Sequence, residues 1–125
     1  MHRSAIAACL LAACSIGSLR PARAADAVSG ERIFKTQCGA CHAAEAGKNR
    51  IGPSMFGIVG RPSGAVGGFR YSAANKNAGL TWDTATLDRY LINPREAIPG
   101  TSMTYAGLRN EAQRADVVAY LDSLK

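Results

Sequence analysis

The chain has 125 residues, a formal net charge of +6 at pH 7, and four cysteines. That length argues for a single small domain. No Lys/Arg cluster or basic helix face accompanies the positive charge, so nucleic acid is not a predicted partner.

The first 24 residues read as an export signal. His2 and Arg3 make a short basic start, and Ser4 to Leu19 is an uncharged, alanine-rich run of 16 residues. Arg20 and Pro21 break the run, and Ala22-Arg23-Ala24 places small residues where a signal peptidase cuts. The run is shorter than the roughly 20 residues of a membrane-spanning helix. The predicted organisation is therefore a signal peptide over 1–24 and one domain over 25–125, with no transmembrane segment in the mature form. A competing pattern, Leu11-Ala12-Ala13-Cys14, resembles a lipoprotein box and would anchor the chain through a lipid on Cys14.

Cleavage after Ala24 would leave 101 residues. His2, Cys9 and Cys14 would leave with the signal. So would Arg3, Arg20 and Arg23, with no acids, so the charge would fall from +6 to +3. A domain that small has difficulty burying enough apolar surface, and exported domains of this size often add disulfides or metals. Its two remaining cysteines lie too close together to close a useful loop, whereas a large apolar cofactor would supply a core.

In chain order, Asp26 caps a predicted helix over about Ala27 to Gln37, with Val28, Ile33 and Phe34 facing inward. Gly30 weakens that helix unless something packs against its bare backbone. The stretch from about Gly47 to Gly68 is rich in Gly and Pro. A loop that long is unusual in a compact domain unless it wraps a ligand. Ser72 to Asn77 predicts a short helix ended by Gly79. Asp83 to Asn93 predicts a longer one, with Leu87, Tyr90 and Leu91 on one face and Pro94 disfavouring its continuation. Pro99 to Tyr105 reads as a loop. Asn110 and Gln113 then open the last helix, whose inner stripe is Val117, Tyr120, Leu121 and Leu124. No strand alternation stands out, and the predicted class is all-α with long loops.

Cys38-Gly39-Ala40-Cys41-His42 fits the c-type haem attachment pattern. Two thiols about one helical turn apart can add across the two vinyl groups on one haem edge, and the next residue sets its imidazole beneath the iron. A thioredoxin-like pair would need a βαβ setting, and a zinc site would need four ligands; neither is available. With His42 the only histidine of the mature chain, the second iron ligand must be another residue type. Met55 and Met103 are the candidates, and a thioether suits low-spin haem iron. Met55 has the default role of core filler. Met103, in the stiff loop Pro99-Gly100-Thr101-Ser102-Met103, is favoured as the residue that could approach from the opposite face.

These motifs, with Gly52-Pro53, Gly60-Arg61, Tyr71 to Asn77, Thr81-Trp82, Tyr90 to Pro94 and Tyr120-Leu121, occur in an order that resembles the class I c-type cytochromes. More narrowly, the chain is similar to mitochondrial cytochrome c and its short bacterial periplasmic relatives, from about Gly30 to Leu124. The resemblance implies terminal helices packed together, long loops around one haem c, and electron carriage rather than enzymatic activity. It implies that the Pro53 carbonyl accepts the His42 ring N–H, and that Arg61, Tyr71, Asn75, Trp82 and Thr101 surround the haem propionates. Tyr90 would point its hydroxyl at the Met103 sulfur, and Gly30 and Phe34 would pack near Val117 and Tyr120.

The implied protein is a monomeric periplasmic carrier in a respiratory or photosynthetic chain. Its partners would be a cytochrome bc complex and a terminal oxidase, with a photosynthetic reaction centre or a periplasmic dehydrogenase as further candidates. A labile Met103 would instead allow a haem enzyme or gas sensor with peroxidase-like activity. The chain departs from the family in its docking cations: Gln37 and Ser102 stand where relatives commonly carry lysine, and Tyr105 where they carry phenylalanine. Arg50, Arg95 and Arg109 would preserve part of the charged ring.

Overall fold

The computed structural model describes residues 23–125; the predicted signal sequence over 1–22 and the Cys14 lipid alternative lie outside them. Five helices follow one another: α1 (Ala27–Gln37), α2 (Ala73–Lys76), α3 (Thr84–Ile92), α4 (Pro94–Ala97) and α5 (Glu111–Ser123). Among the described residues the β pairing is a single isolated bridge between Pro62 and Thr81. The all-α expectation holds.

Each helix begins where a side chain can satisfy an orphan backbone N–H. Asp26 accepts from Val28 N at 3.0 Å, Asp83 from Thr86 N at 2.7 Å, and Asn110 from Gln113 N at 3.0 Å. Ser72 does the same for α2. Pro94 ends α3 as expected, but the chain does not then become a loop. Asn93 caps a further turn, and Pro94 takes its first position, where a missing N–H is harmless. The sequence pattern did not predict α4, because one turn leaves no periodicity to detect.

Helices α1 and α5 form the main packing pair, and α3 lies against α5. Gly30 explains how close the first pair comes: a Cβ there would collide with the Asp116 backbone carbonyl and lie 2.9 Å from the Tyr120 Cβ. One turn on, the Phe34 and Tyr120 rings meet at 5.4 Å. Val28, expected inside, is 60% exposed. At 100° per residue it sits about 200° round the helix from Gly30, so a helix that faces α5 with Gly30 and Phe34 turns Val28 outward. On α5, Val117 and Leu121 are buried as expected, Tyr120 and Leu124 are partly buried, and Val118 is buried in addition.

The buried core comprises Phe34, Ile58, Trp82, Leu87, Tyr90, Leu91, Ile98, Leu108, Val117, Val118 and Leu121. A charged residue reinforces it. The Arg114 guanidinium, 7% exposed, bonds Asp88 on α3 at 2.7 Å and the Leu108 carbonyl at 3.1 Å. It thus joins α5 to α3 and to the chain entering α5.

The long segment between α1 and α2 has no helix, yet its backbone is tied down. Gly52 N bonds Cys41 O at 2.8 Å, Met55 N bonds Ala43 O at 2.9 Å, and Ser63 N bonds Leu80 O at 2.8 Å. Buried Ser54 donates its hydroxyl to Glu45 O at 2.6 Å and receives Phe56 N at 3.2 Å. These bonds tie the loop to the segment after α1 and to Leu80 ahead of α3, and the space it encloses is the site.

Candidate functional site: a cavity behind the cysteine pair

The enclosed cavity has a volume of about 400 Å³, and both thiols and the imidazole of the Cys38 to His42 motif line it. The motif is placed by the end of α1. Cys38 N bonds Phe34 O at 2.8 Å as the helix cap, and Cys41 N and His42 N both return to Cys38 O, at 3.0 and 2.9 Å. This turn sets both cysteines on the wall. Burial first, and the neighbouring Cys41 second, push the Cys38 thiol up to about 11. At neutral pH it is therefore a protonated thiol, a poor nucleophile for disulfide exchange.

The His42 Nδ1 lies 2.8 Å from the Pro53 carbonyl oxygen. A carbonyl only accepts, so Nδ1 carries the proton and Nε2 keeps its lone pair. Burial holds the imidazole below its ordinary pKa, against the pull of the Pro53 bond. The ring is neutral at pH 7 and able to ligate. Gly52 makes room for it: a Cβ there would lie 2.6 Å from Nδ1 and 2.8 Å from Nε2. Gly52-Pro53 is thus a cradle for one imidazole, with the glycine giving space and the proline giving orientation.

Met103 also lines the cavity, and the Tyr90 hydroxyl donates to its sulfur at 3.1 Å. Burial raises the pKa of Tyr90, so the phenol stays protonated and able to donate. Thr101 Oγ1 accepts from Met103 N at 3.3 Å. Thr101 thus braces the turn that carries Met103, and its side chain also meets the Tyr90 hydroxyl. Met55 lines the cavity too, packed against the core.

Arg61, Tyr71, Asn75 and Trp82 come together on the same wall. The loop carrying Arg61 is zipped to Trp82 by Trp82 N to Arg61 O and Gly60 N to Trp82 O, both 2.9 Å. Trp82 packs edge-on against Tyr90 at 4.8 Å. The Tyr71 hydroxyl accepts from Val66 N at 3.1 Å and keeps its own proton to give. Arg61 bonds the carbonyls of Ser54 and Phe56, and among the described residues it forms no ion pair with a carboxylate. Asn75 Oδ1 is fully buried and without a partner. A half-buried guanidinium and an unpartnered buried amide oxygen facing one cavity are costly unless polar groups are supplied from outside the chain, an acceptor, best an anionic one, for Arg61 and a donor for Asn75 Oδ1.

Residues with no motif of their own also contribute. Phe69, from the glycine-rich loop, stacks edge-on with Tyr71 at 4.8 Å. Tyr105 and Gln37 flank the mouth, and the Tyr105 hydroxyl donates to Gln37 Oε1 at 2.5 Å across 68 positions of sequence. No sequence signal could have paired these two, because neither belongs to a local pattern.

These features define a class: an all-helical domain folded round a flat, mostly apolar prosthetic group with acidic substituents, held by two thiols and offered an imidazole and a thioether. A cytochrome c family model matches residues 27–125. The chain is 47% identical over 105 residues to a cytochrome c from Nigella damascena, covering 83% of this chain and 95% of that one. It is 50% identical over 101 residues to one from Chlamydomonas reinhardtii, covering 80% and 90%. Identity is 47% to a cytochrome c2 from Blastochloris viridis, covering 83% and 82%. The solved structure of cytochrome cH from Methylobacterium extorquens superposes with a TM-score of 0.73 at 39% identity, covering 78% of this chain and all but 2% of that one, its coverage being 98%. The chain belongs to the cytochrome c family. It is therefore an electron carrier with covalent haem c, and Cys38 and Cys41 stand as the family's attachment pair.

Proposed function

We propose that this protein is exported through removal of residues 1–24 and carries single electrons in the periplasm as a monomer, with His42 and Met103 as the two iron ligands. The observation that carries the reading is the pairing of orienting bonds on one cavity: Pro53 on the His42 ring and Tyr90 on the Met103 sulfur. The Pro53 bond leaves the His42 Nε2 free, and the Tyr90 bond occupies one of the two sulfur lone pairs and leaves the other free.

The residues divide the work. Cys38 and Cys41 would hold the haem covalently, which keeps it on the protein in either charge state. Pro53 fixes the imidazole's tautomer and plane, as a partner of a ligating histidine does. Tyr90 and the Thr101-braced turn hold the thioether in place. Arg61, Tyr71 and Asn75, with Trp82 beside them, would satisfy the acidic substituents in a buried setting. The haem supplies a one-electron couple. With His42 and Met103 both serving as ligands, carriage would need no bound substrate, and apolar burial together with a methionine ligand would favour a raised potential.

Among the described residues no helix is long and apolar enough to cross a membrane. The docking partners we infer are a cytochrome bc complex and a terminal oxidase, with a photosynthetic reaction centre or a periplasmic dehydrogenase as further members of the same redox class. The peroxidase or gas-sensing alternative requires Met103 to leave the iron, which the Tyr90 bond opposes. Met103→Ala should lower the reduction potential and let the ferrous protein bind carbon monoxide promptly, while the parent protein binds it slowly. An unchanged spectrum in the variant would remove Met103 from the ligand set.

A further inference from the structure

Asp116 is a carboxylate buried on α5, 4% exposed. Its Oδ1 accepts the Asp26 backbone N–H at 2.7 Å. Its Oδ2 accepts only from Arg23, through Nη1 at 3.1 Å and Nη2 at 3.2 Å. That guanidinium comes from a largely exposed side chain, 55% accessible, whereas the carboxylate it neutralises is at 5%. Arg23 is also the second-last residue of the proposed signal peptide. If cleavage follows Ala24, the mature protein loses the one cation that pairs with this carboxylate among the described residues, and Oδ2 loses both its donors there. A buried carboxylate stripped of its partner is strongly destabilising.

The same hydrolysis supplies a replacement. A signal peptidase adds water across the Ala24–Ala25 bond, leaving a carboxylate on Ala24 and an ammonium on Ala25. The Ala25 nitrogen belongs to the residue just before the Asp26 N–H already bonded to Oδ1. Consecutive residues lie about 3.8 Å apart, so one carboxylate can take the Asp26 amide on one oxygen and the new ammonium on the other. We propose that Asp116 is the receptor for the amino terminus that signal-peptide removal creates at Ala25. Processing then exchanges an Arg23 ion pair for a charge-assisted bond to the chain's own terminus. It leaves the start of α1 tied to α5. The proposal rests on the cleavage reading given above.

Other charges near Ala25 are accounted for. Asp88 and Asp122 share a shallow groove with it, but Asp88 is paired with Arg114 and Asp122 with Lys125. The Asp26 carboxylate is engaged by Val28 N and Ser29 Oγ. The exposed N-terminal amides of α1 oppose a positive charge.

Two measurements on mature haem-bearing protein, purified from the compartment where it matures, test this separately. Intact mass reports the first residue; any start other than Ala25 overturns the cleavage reading and the proposal with it. Given Ala25, an NMR titration of the terminal amine should show its proton held about tenfold more tightly than in an ordinary terminus, whose pKa is about 7.7–8.0. Asp116→Asn should abolish that excess, and Asp122→Asn should retain most of it. An ordinary value in the parent protein overturns the receptor role whether or not Asp116→Asn folds. Arg23→Ala should yield a mature protein of the same mass and stability; a destabilised product would show that Arg23 is retained and would overturn the exchange.

Discussion

The helix pair α1·α5 and the loop wall from His42 to Tyr71 solve opposite problems. In the pair, each helix satisfies its own backbone, and what joins them is side-chain shape, with Gly30 against the Asp116 carbonyl and Phe34 against Tyr120. In the loop wall the backbone has no ladder, so single bonds such as Ser54 to Glu45 O and Arg61 to Ser54 O replace one. The pair would tolerate loss of an exposed polar contact such as Lys35 to Glu31, but not a misplaced methyl group. The wall would tolerate small changes of volume but not loss of its bonds or of what fills it.

The largest effect should come from spoiling the shape of the pair. Gly30→Val drives two methyl groups at backbone that cannot yield, and its cost should reach or pass the about 3 kcal/mol typical of severe overpacking. Chemical denaturation of the holoprotein measures it; a loss under 1 kcal/mol would mean that the pair can slide apart.

Next comes the polar joint that ties the helix pair to α3. Arg114→Ala leaves Asp88 without its cation and strips a donor from the Leu108 and Arg109 carbonyls. The expected loss is about 1–3 kcal/mol, and Asp88→Asn in the same background should add little. A full additional loss in the double variant would show that the two act separately.

Tyr90→Phe probes the site with a smaller change. It removes the hydroxyl bond to the Met103 sulfur and should cost about 1 kcal/mol. It should also speed carbon monoxide binding to the ferrous protein several-fold, while global stability falls little. Equal rates in parent and variant would free Tyr90 of any role in holding Met103.

The smallest effect is a pH dependence at the helix starts. The Ser29 and Val28 bonds hold Asp26, and the Thr86 bonds hold Asp83, below the usual carboxylate pKa. Their contribution is therefore present above the ordinary value near 3.8 and is lost as pH falls through the lowered one. Asp26→Asn and Asp83→Asn, which keep the cap, should flatten the acid limb of a denaturation profile. An unaltered limb would assign the acid sensitivity to other groups.

Much of the fold was legible because its signals are local. The caps at Asp26, Asp83 and Asn110 and the spacing of Leu87, Tyr90 and Leu91 each lie within a turn or two of what they govern. α4 escaped notice because Pro94 reads equally as a stop and as a first residue. Val28 was misplaced because periodicity alone does not choose which face of α1 meets α5. At the site, the Cys38 to His42 motif, Pro53, Tyr90 and Met103 were expected together, and the cavity brings them together.

By itself the sequence determined four of the five described helices, the attachment pair and the need for something large inside a domain too small to supply its own core. Those follow from short-range chemistry: capping, periodicity and the reach of two thiols. Only the tertiary structure decided that the Asn75 Oδ1 would be buried with no partner, that Tyr105 would reach Gln37, and that Arg114 and Asp116 would be buried charges joining distant segments. An exposed charge and a buried one have the same letter in a sequence, and what separates them is the solvent that the rest of the chain removes.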